Sequence, residues 1–191
     1  TASGPYHPRN YDRRYHGPVR AREALASSYN VPAVSLTDRV GYSTLLHVLG
    51  QAGFASLGRP AEHYGLGLAL GNGDVTLLEL ANGYRTLANG GVWSPVSYHA
   101  DEAGPAAGDS VSRRVVSRPS AALALDILSD PVARIPGFGL ATPFDWPFRA
   151  AAKTGTSRHF TDNWAAATAG RFTVAVWVGN FSGQPMEGVS G

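Results

Sequence analysis

The most constraining feature of the sequence is a strand-turn-strand pattern near its C-terminal end. Residues 163–169 and 172–179 are rich in small, β-branched and aromatic side chains, and the tight connection Ala169-Gly170-Arg171 joins them. This pattern predicts an antiparallel hairpin. A third strand is predicted just before it, over 149–154. Strands of this kind bury one face, so the rest of the chain is expected to supply a layer that packs on them.

The first two thirds of the sequence show helical periodicity. Pro18 suits the first turn of a helix. We expect this helix to end at a reverse turn over 28–31. The clearest helix has Asp74 as its predicted N-cap and ends before Gly90. Further predictions are helices over 32–40, 42–52 and 119–130, short strands over 92–98 and 111–116, and loops over 101–109 and 131–148. Helices followed by a hairpin predict an α+β fold with helices packed on an antiparallel sheet.

Composition excludes several functional classes. With 191 residues and 43% hydrophobic side chains, the chain is long and apolar enough to fold as a domain. It has no cysteine, which excludes disulfides, thiolate metal sites and cysteine nucleophiles. No apolar run is long enough to span a membrane, and no two histidines have metal-ligand spacing. The net charge of +2 comes without a basic stripe, so nucleic-acid binding is not predicted.

Lysine occurs once, at position 153, whereas the other cationic side chains are all arginine. Lysine is a compact charge with a tunable pKa, so a lone lysine marks a candidate position where arginine would not serve. It opens the run Lys153-Thr154-Gly155-Thr156-Ser157, at the end of a predicted strand. The positive charge and the hydroxyl groups suit a bound carboxylate, and glycine allows close approach. A strand-edge N–H after the glycine could donate to an oxyanion.

A second candidate motif is Ser28-Tyr29-Asn30, at the turn predicted between two helices. A hydroxyl and an amide two residues apart on a turn can point into the same cleft. A helix-end serine beside a turn asparagine is the purely structural alternative. The motif gains weight from the Lys153-Thr154-Gly155 run that follows later in the chain.

The two motifs are two of the three that penicillin-binding proteins and serine β-lactamases share. Four neighbouring runs strengthen the match: Tyr15-His16-Gly17-Pro18-Val19, Leu78-Glu79-Leu80-Ala81-Asn82-Gly83-Tyr84, Asp162-Asn163-Trp164 and Val176-Trp177-Val178-Gly179. Over nearly its whole length the chain resembles the transpeptidase domain of class A penicillin-binding proteins, most closely the 1C type. The resemblance implies the transpeptidase fold of that family, with helices packed on an antiparallel sheet.

The resemblance also implies a D,D-transpeptidase of bacterial cell-wall synthesis. Such an enzyme attacks the D-Ala-D-Ala end of a peptidoglycan stem peptide, releases the last D-Ala and passes the acyl group to a neighbouring stem. Ser28 would relay a proton to the leaving amine, Asn30 would bond the donor peptide, and Lys153 would support the relay. The implied substrate-binding residues are Thr154, Gly155 and Thr156, and β-lactams would mimic the substrate. No cofactor and no metal is implied.

The family's first motif, Ser-x-x-Lys, is absent, because Lys153 is the only lysine and Ala150 stands three residues before it. We therefore expect the acylated serine upstream of the chain and the family's C-terminal helix beyond its end. Residues 1–191 are expected to form a partial transpeptidase domain, truncated at both ends, that is inactive alone. The parent protein is expected outside the cytoplasmic membrane, anchored by another segment and fused to a peptidoglycan glycosyltransferase.

Other functions remain open from the sequence. A non-catalytic penicillin-recognition or scaffold module of cell-wall assembly would carry the same residues, and the upstream sequence would discriminate it. A serine β-lactamase is disfavoured, because none of Glu62, Glu79 and Glu102 has the setting expected of a deacylating glutamate. His159, just past the lysine motif, is a candidate for the cleft rim, although a loop histidine is more often only solvated.

Overall fold

The computed structural model describes residues 7–98 and 111–189, except for the side chain of Arg158. Its α-helices are α1 (Ala21–Ala26), α2 (Asn30–Val40), α3 (Tyr42–Gln51), α4 (Ala61–Tyr64), α5 (Leu77–Ala88), α6 (Arg118–Leu128) and α7 (Pro131–Phe138). Its strands are β1 (Val92–Trp93), β2 (Arg113–Arg114), β3 (Ala151–Thr156), β4 (Asp162–Ala169) and β5 (Phe172–Gly179). Short 3₁₀ segments cover Gly65–Leu70 and Arg158–Phe160. The arrangement confirms the α+β prediction.

The main sheet contains β3, β4 and β5 in that order, all antiparallel. Strands β4 and β5 form the predicted hairpin, with Ala169 opposite Phe172. On the other side of β4, Lys153 is opposite Ala166 and Thr156 is opposite Asn163. Among the described strands, β3 therefore lies at an edge of the sheet.

Helices cover one face of this sheet. Helix α5 packs on β4 and β5, and α6 packs on β3. Small side chains contribute to this interface: Ala121 of α6 is buried, and so are Ala151 and Ala166, which the register places on the same face of the sheet. Because alanine occupies little volume, the helix backbones approach the sheet closely and bring the helical turns near the β3 edge.

The predicted N-cap of α5, Asp74, is wrong. Thr76 holds that position: its hydroxyl accepts from the N–H of Glu79 at 3.2 Å, and the Glu79 carboxylate accepts from the N–H of Thr76 at 2.8 Å. This reciprocal capping box satisfies two backbone N–H groups at the start of the helix, which explains why the helix begins there.

The predicted loop over 131–148 is also wrong, because it contains helix α7. Oδ1 of Asp130 caps this helix by accepting from the N–H groups of Val132 and Ala133, each at 3.0 Å. Pro131 lies in the first turn, where its missing N–H has no helical partner to lose. Gly139, with a φ of +81°, ends the helix.

Smaller differences concern the ends of elements. Helix α1 begins later than predicted, and α2 begins at Asn30 rather than at Pro32, because proline is compatible with the first turn of a helix. Strands β1 and β2 have two residues each, so they are shorter than the predicted 92–98 and 111–116. The predicted loop over 101–109 lies outside the described residues.

The described part of the chain has an apolar surface but no membrane-spanning helix. On β5, four alternating side chains are exposed on one face of the sheet: Phe172, Val174, Val176 and Val178. None of the described helices combines the length and the apolar character needed to cross a membrane.

Candidate active site

The turn after α1 and strand β3 are distant in sequence but meet in the structure, at Ser28 and Lys153. Nζ of Lys153 donates to Oγ of Ser28 at 2.6 Å and to the carbonyl of Thr154 at 2.6 Å. Two of the predicted catalytic residues thus form one hydrogen-bonded pair. Because the lysine is the donor, the Ser28 hydroxyl can direct its own proton toward a different acceptor.

The backbone of Ser28 is left-handed, with a φ of +60°. Helix α1 ends just before it. The N–H of Ser28 donates to the carbonyl of Leu25 at 3.2 Å, and the N–H of Tyr29 donates to the carbonyl of Ala24 at 2.9 Å. Glycine usually fills such a position, because any other side chain costs roughly 1–2 kcal/mol there. Serine at this position carries strain that its surroundings must hold.

The ammonium of Lys153 loses its proton more readily than that of an ordinary lysine. Burial, and then the positive charge of Arg134 in α7, lower the pKa of Lys153 to about 8. Arg134 is itself buried, donates to the carbonyl of Leu128 at 2.5 Å and lies 4.6 Å from the centroid of the Phe144 ring. A lysine with this pKa can give and take a proton near neutral pH.

The predicted carboxylate-binding residues lie along the end of β3. Thr154 is half-buried, whereas Gly155 and Thr156 are exposed. A Cβ added to Gly155 would lie 3.7 Å from Cβ of Trp164, an ordinary contact, so packing within the chain does not demand glycine there. Because β3 is an edge strand among the described strands, its outer backbone groups suit an extended peptide or an anion.

The connection after β3 is held by a hydrogen-bond network that the sequence did not indicate. Oγ of Ser157 accepts from the N–H of Asp162 at 2.8 Å and lies 2.6 Å from Oγ1 of Thr161. The Trp177 indole donates to the Asp162 carboxylate at 2.9 Å, and this bond holds the pKa of that carboxyl below its usual range. His159 is exposed on this connection, with a φ of +65°.

Asn30, the third predicted catalytic residue, has no hydrogen bond to Ser28 or Lys153. It is the first residue of α2, and its amide N–H donates to the carbonyl of Arg9 at 3.0 Å. Beside it, the buried amide oxygen of Asn10 accepts the next N–H of α2 at 3.0 Å. In this structure Asn30 therefore ties the N-terminal segment to α2, and its contact with a donor peptide stays a prediction.

The tyrosine between the two motif residues packs inwards. Tyr29 is buried, its ring stacks on His16 with centroids 4.3 Å apart, and its hydroxyl lies 3.3 Å from the Glu23 carboxylate. Burial, and then the charge of Glu23, raise the pKa of Tyr29. His16 in turn contacts Asp12 at 3.0 Å. Tyr29 thus anchors the turn that carries Ser28.

The described glutamates between the two motifs do not contact Ser28 or Lys153. Glu79 belongs to the capping box of α5 and also accepts from the N–H of Ser56 at 2.8 Å. Glu62 is exposed on α4, and Glu102 lies outside the described residues. Within 7–98 and 111–189, no cluster of histidine and carboxylate side chains is arranged to hold a metal ion.

A well-formed groove lies away from this pair. It has a volume of about 850 Å³ and runs between α6, α7 and the segment before β3. Three rings that contact one another in series line it: Phe144, Trp146 and Phe148. Neither Ser28 nor Lys153 lines this groove, so we assign the candidate active site by its hydrogen bonds and charges rather than by volume.

Comparison with known proteins decides the family. Residues 2–183 match the family model of the penicillin-binding protein transpeptidase domain. The chain belongs to this family. It is 28% identical to penicillin-binding protein 1C of Escherichia coli, a match that covers 99% of this chain and 23% of that protein. It is 32% identical to penicillin-binding protein 1B of Vibrio cholerae, over 96% of this chain and 24% of that protein.

Solved structures agree with this assignment. Penicillin-binding protein 1A of Haemophilus influenzae aligns with a TM-score of 0.73 at 22% identity, over 97% of this chain and 34% of that one, and shows the same fold. Penicillin-binding protein A of M. tuberculosis, solved as an imipenem acyl-enzyme complex, aligns with a TM-score of 0.66 at 27% identity, over 95% of this chain and 47% of that one.

These matches confirm the predicted resemblance to class A penicillin-binding proteins and the predicted fold class. The chain spans about a quarter of the length of the curated relatives named above.

Proposed function

We propose that this chain is the part of a peptidoglycan D,D-transpeptidase domain that carries the proton path and the carboxylate site. The acylated serine would come from a Ser-x-x-Lys segment outside these 191 residues, since no such motif occurs within them. The observation that carries the proposal is the 2.6 Å hydrogen bond from Lys153 to Ser28, made by a lysine whose pKa is lowered to about 8.

In the proposed acylation step, the serine oxygen bonds to the carbonyl carbon of the penultimate D-Ala, and its proton passes to the lysine of the same Ser-x-x-Lys segment. The C–N bond to the terminal D-Ala breaks. The leaving nitrogen takes the hydroxyl proton of Ser28, and the ammonium of Lys153 replaces that proton. The hydrogen bond supports this direction, because Lys153 already donates to Ser28.

In the second step an amine of a neighbouring stem peptide attacks the ester carbon. The bond to the serine oxygen breaks, and that oxygen regains its proton from the lysine of its own motif. The proton lost by the attacking amine returns through Ser28 to Lys153. A lysine with an ordinary pKa would hold its proton too firmly to serve in both directions near neutral pH.

The end of β3 would bind the substrate's terminal carboxylate. Lys153 supplies a positive field, and the hydroxyls of Thr154 and Thr156 supply hydrogen bonds. The N–H of Thr156 would form half of the oxyanion hole, and the acylated serine would supply the other half. Exposed Gly155 leaves the strand edge open to the approaching peptide. β-Lactams resemble this substrate end and would enter the same site.

This substrate lies outside the cytoplasmic membrane, so we place the parent protein there, anchored through a segment other than the one described. The resemblance to class A penicillin-binding proteins implies a parent that also carries a peptidoglycan glycosyltransferase, and the chain covers only 23% and 24% of its relatives 1C and 1B, which leaves length for such a domain. Neither nucleic acid nor a cofactor has a place in this proposal.

The direct test is labelling with a fluorescent penicillin. The chain alone is compared with a longer form of the protein that includes the Ser-x-x-Lys segment, and heat-unfolded samples serve as controls. We expect only the folded longer form to be labelled, at the serine of that motif. No labelling of a folded longer form would reject the enzyme and the penicillin sensor together and favour a scaffold. Labelling of the chain alone would show that the nucleophile is misassigned.

A further inference from the structure

Helix α7 lies directly against the turn that carries Ser28. Ser27 is buried, and its hydroxyl donates to the carbonyl of Ala133 at 2.9 Å. One turn further along the helix, Gly137 approaches the same residue. A Cβ added to Gly137 would lie 2.5 Å from the carbonyl oxygen of Ser27 and 2.8 Å from its Cα. Only glycine allows this approach without a shift of the turn.

Helix α7 is itself held by several polar contacts. The Asp130 carboxylate caps its first turn and binds Arg22 of α1 at 2.9 Å. Arg134, in the middle of the helix, is buried and donates to the last carbonyl of α6, that of Leu128, at 2.5 Å. These contacts fix α7 against α1 and α6, so α7 does not move along with the turn that carries Ser28.

We infer that α7 holds Ser28 against Lys153, and that Ser27 and Gly137 are positioning residues for the proton path. A left-handed serine at the end of a helix relaxes unless its surroundings hold it. The contacts with Ala133 and Gly137 fall on the residue immediately before Ser28, where they fix the backbone that aims its hydroxyl. This inference rests on the proposed function, because a proton path gives the positioning its purpose.

Lys153 can serve as the spectroscopic probe for this inference, because it is the only lysine in these 191 residues. Lysine labelled with ¹³C at Cε and ¹⁵N at Nζ gives one side-chain signal, which reports the hydrogen bond to Ser28 without any substrate. The Ser28→Ala variant calibrates the signal of the broken bond. The test variants are Ser27→Ala, which removes the hydroxyl, and Gly137→Ala, which pushes on the turn.

Each test variant has a matched control. Thr86→Val removes another buried hydroxyl that donates to a backbone carbonyl, that of Asn82 at 2.8 Å in α5. Gly50→Ala adds a methyl group in α3, where the new Cβ meets no atom within 4 Å. Circular dichroism and a thermal melt establish that each variant is folded. A full pH titration gives the shift and the midpoint of the Lys153 signal.

We expect Ser27→Ala and Gly137→Ala to move the Lys153 signal and its titration midpoint at least half of the way to the Ser28→Ala values. The control variants should keep wild-type values. A folded Ser27→Ala variant with a wild-type titration would overturn the inference. So would an unfolded Ser27→Ala variant, because the hydroxyl would then be structural only. Penicillin labelling tests the proposed function separately, so either conclusion can fail without the other.

Discussion

The ammonium of Lys153 lies 2.6 Å from Oγ of Ser28, although 125 residues separate them in the sequence. The serine belongs to a turn at the end of a helix, and the lysine belongs to an edge strand. The contact therefore depends on how the helical layer packs on the sheet. A change at this packing interface should alter the chemistry of the pair without touching either residue.

The first prediction concerns the electrostatic effect of Arg134 on Lys153. Because its positive charge lowers the pKa of Lys153, Arg134→Met should raise that pKa from about 8 toward the ordinary value of 10.5. Burial, the larger cause, should keep it below that value. The measurement is the pH titration of the single lysine signal by NMR.

Arg149→Met is the matched control for this titration. Arg149 binds Asp126 at 2.5 Å and Ser129 at 2.9 Å, and it is not among the charges that shift Lys153. It should leave the Lys153 midpoint unchanged. A midpoint that stays at its wild-type value or falls in Arg134→Met would contradict the prediction.

The second prediction is a pH-dependent stability. Lys153 has a pKa of about 8 in the folded protein and of 10.5 as an ordinary lysine. Between these values the unfolded chain binds more protons than the folded one, so the free energy of unfolding should rise with pH. In Lys153→Met this rise should be absent. Urea denaturation between about pH 7 and 9.5 measures the difference between the two proteins.

The upper limit of this range avoids the titration of Tyr84 in α5. Burial raises the pKa of Tyr84 to about 12, so the folded protein keeps that proton while the unfolded chain loses it. Stability should therefore fall with pH above about 10, in the opposite direction. Parallel curves for wild type and Lys153→Met below that pH would show that the folded-state pKa of Lys153 is not lowered.

The third prediction separates the strain at Ser28 from its hydroxyl. Glycine adopts a φ of +60° at no steric cost, whereas the Cβ of alanine makes this φ unfavourable. Ser28→Gly should therefore be more stable than Ser28→Ala, by up to about 1 kcal/mol after the entropy of glycine in the unfolded chain is included. Both variants lose the Lys153 contact. Chemical denaturation gives the difference, and a less stable glycine variant would mean that the left-handed turn is not held.

The fourth prediction concerns Gly155. Its added Cβ would meet only Trp164, at an ordinary 3.7 Å. Gly155→Ala should therefore change the free energy of unfolding by less than about 0.5 kcal/mol. In a longer form of the protein that carries Ser-x-x-Lys, it should slow penicillin labelling, because the methyl group occupies the proposed approach path. A variant that unfolds, or one that is labelled at the wild-type rate, contradicts the proposed role.

Local patterns predicted the sheet well but not all of the helical layer. The hairpin could be predicted because β4 and β5 are consecutive in the sequence and joined by a tight turn. Helix α7 was hidden by its prolines, since its stability comes from the Asp130 cap and from contacts with distant residues. The start of α5 was misplaced because two good caps lie close together, and the reciprocal bond of Thr76 with Glu79 decides between them.

The same distinction applies to the candidate site. Ser28 and Lys153 were predicted from their motifs, and the structure places them in contact. The left-handed backbone of Ser28 and its support by Ser27 and Gly137 were not predictable, because they arise from packing of residues more than a hundred positions apart. Asn30 shows the converse, since its motif position does not reveal the contact with Arg9.

The most direct test of the proposed function is the rate constant for acylation by a penicillin in a form of the protein that carries Ser-x-x-Lys. Ser28→Ala and Lys153→Met should each reduce that rate constant roughly 100-fold or more, as expected for loss of a proton-transfer group. Thr86→Val, which removes a hydroxyl bonded to the Asn82 carbonyl within α5, should leave it unchanged. A wild-type rate in folded Ser28→Ala would contradict the proton path from Lys153 through Ser28.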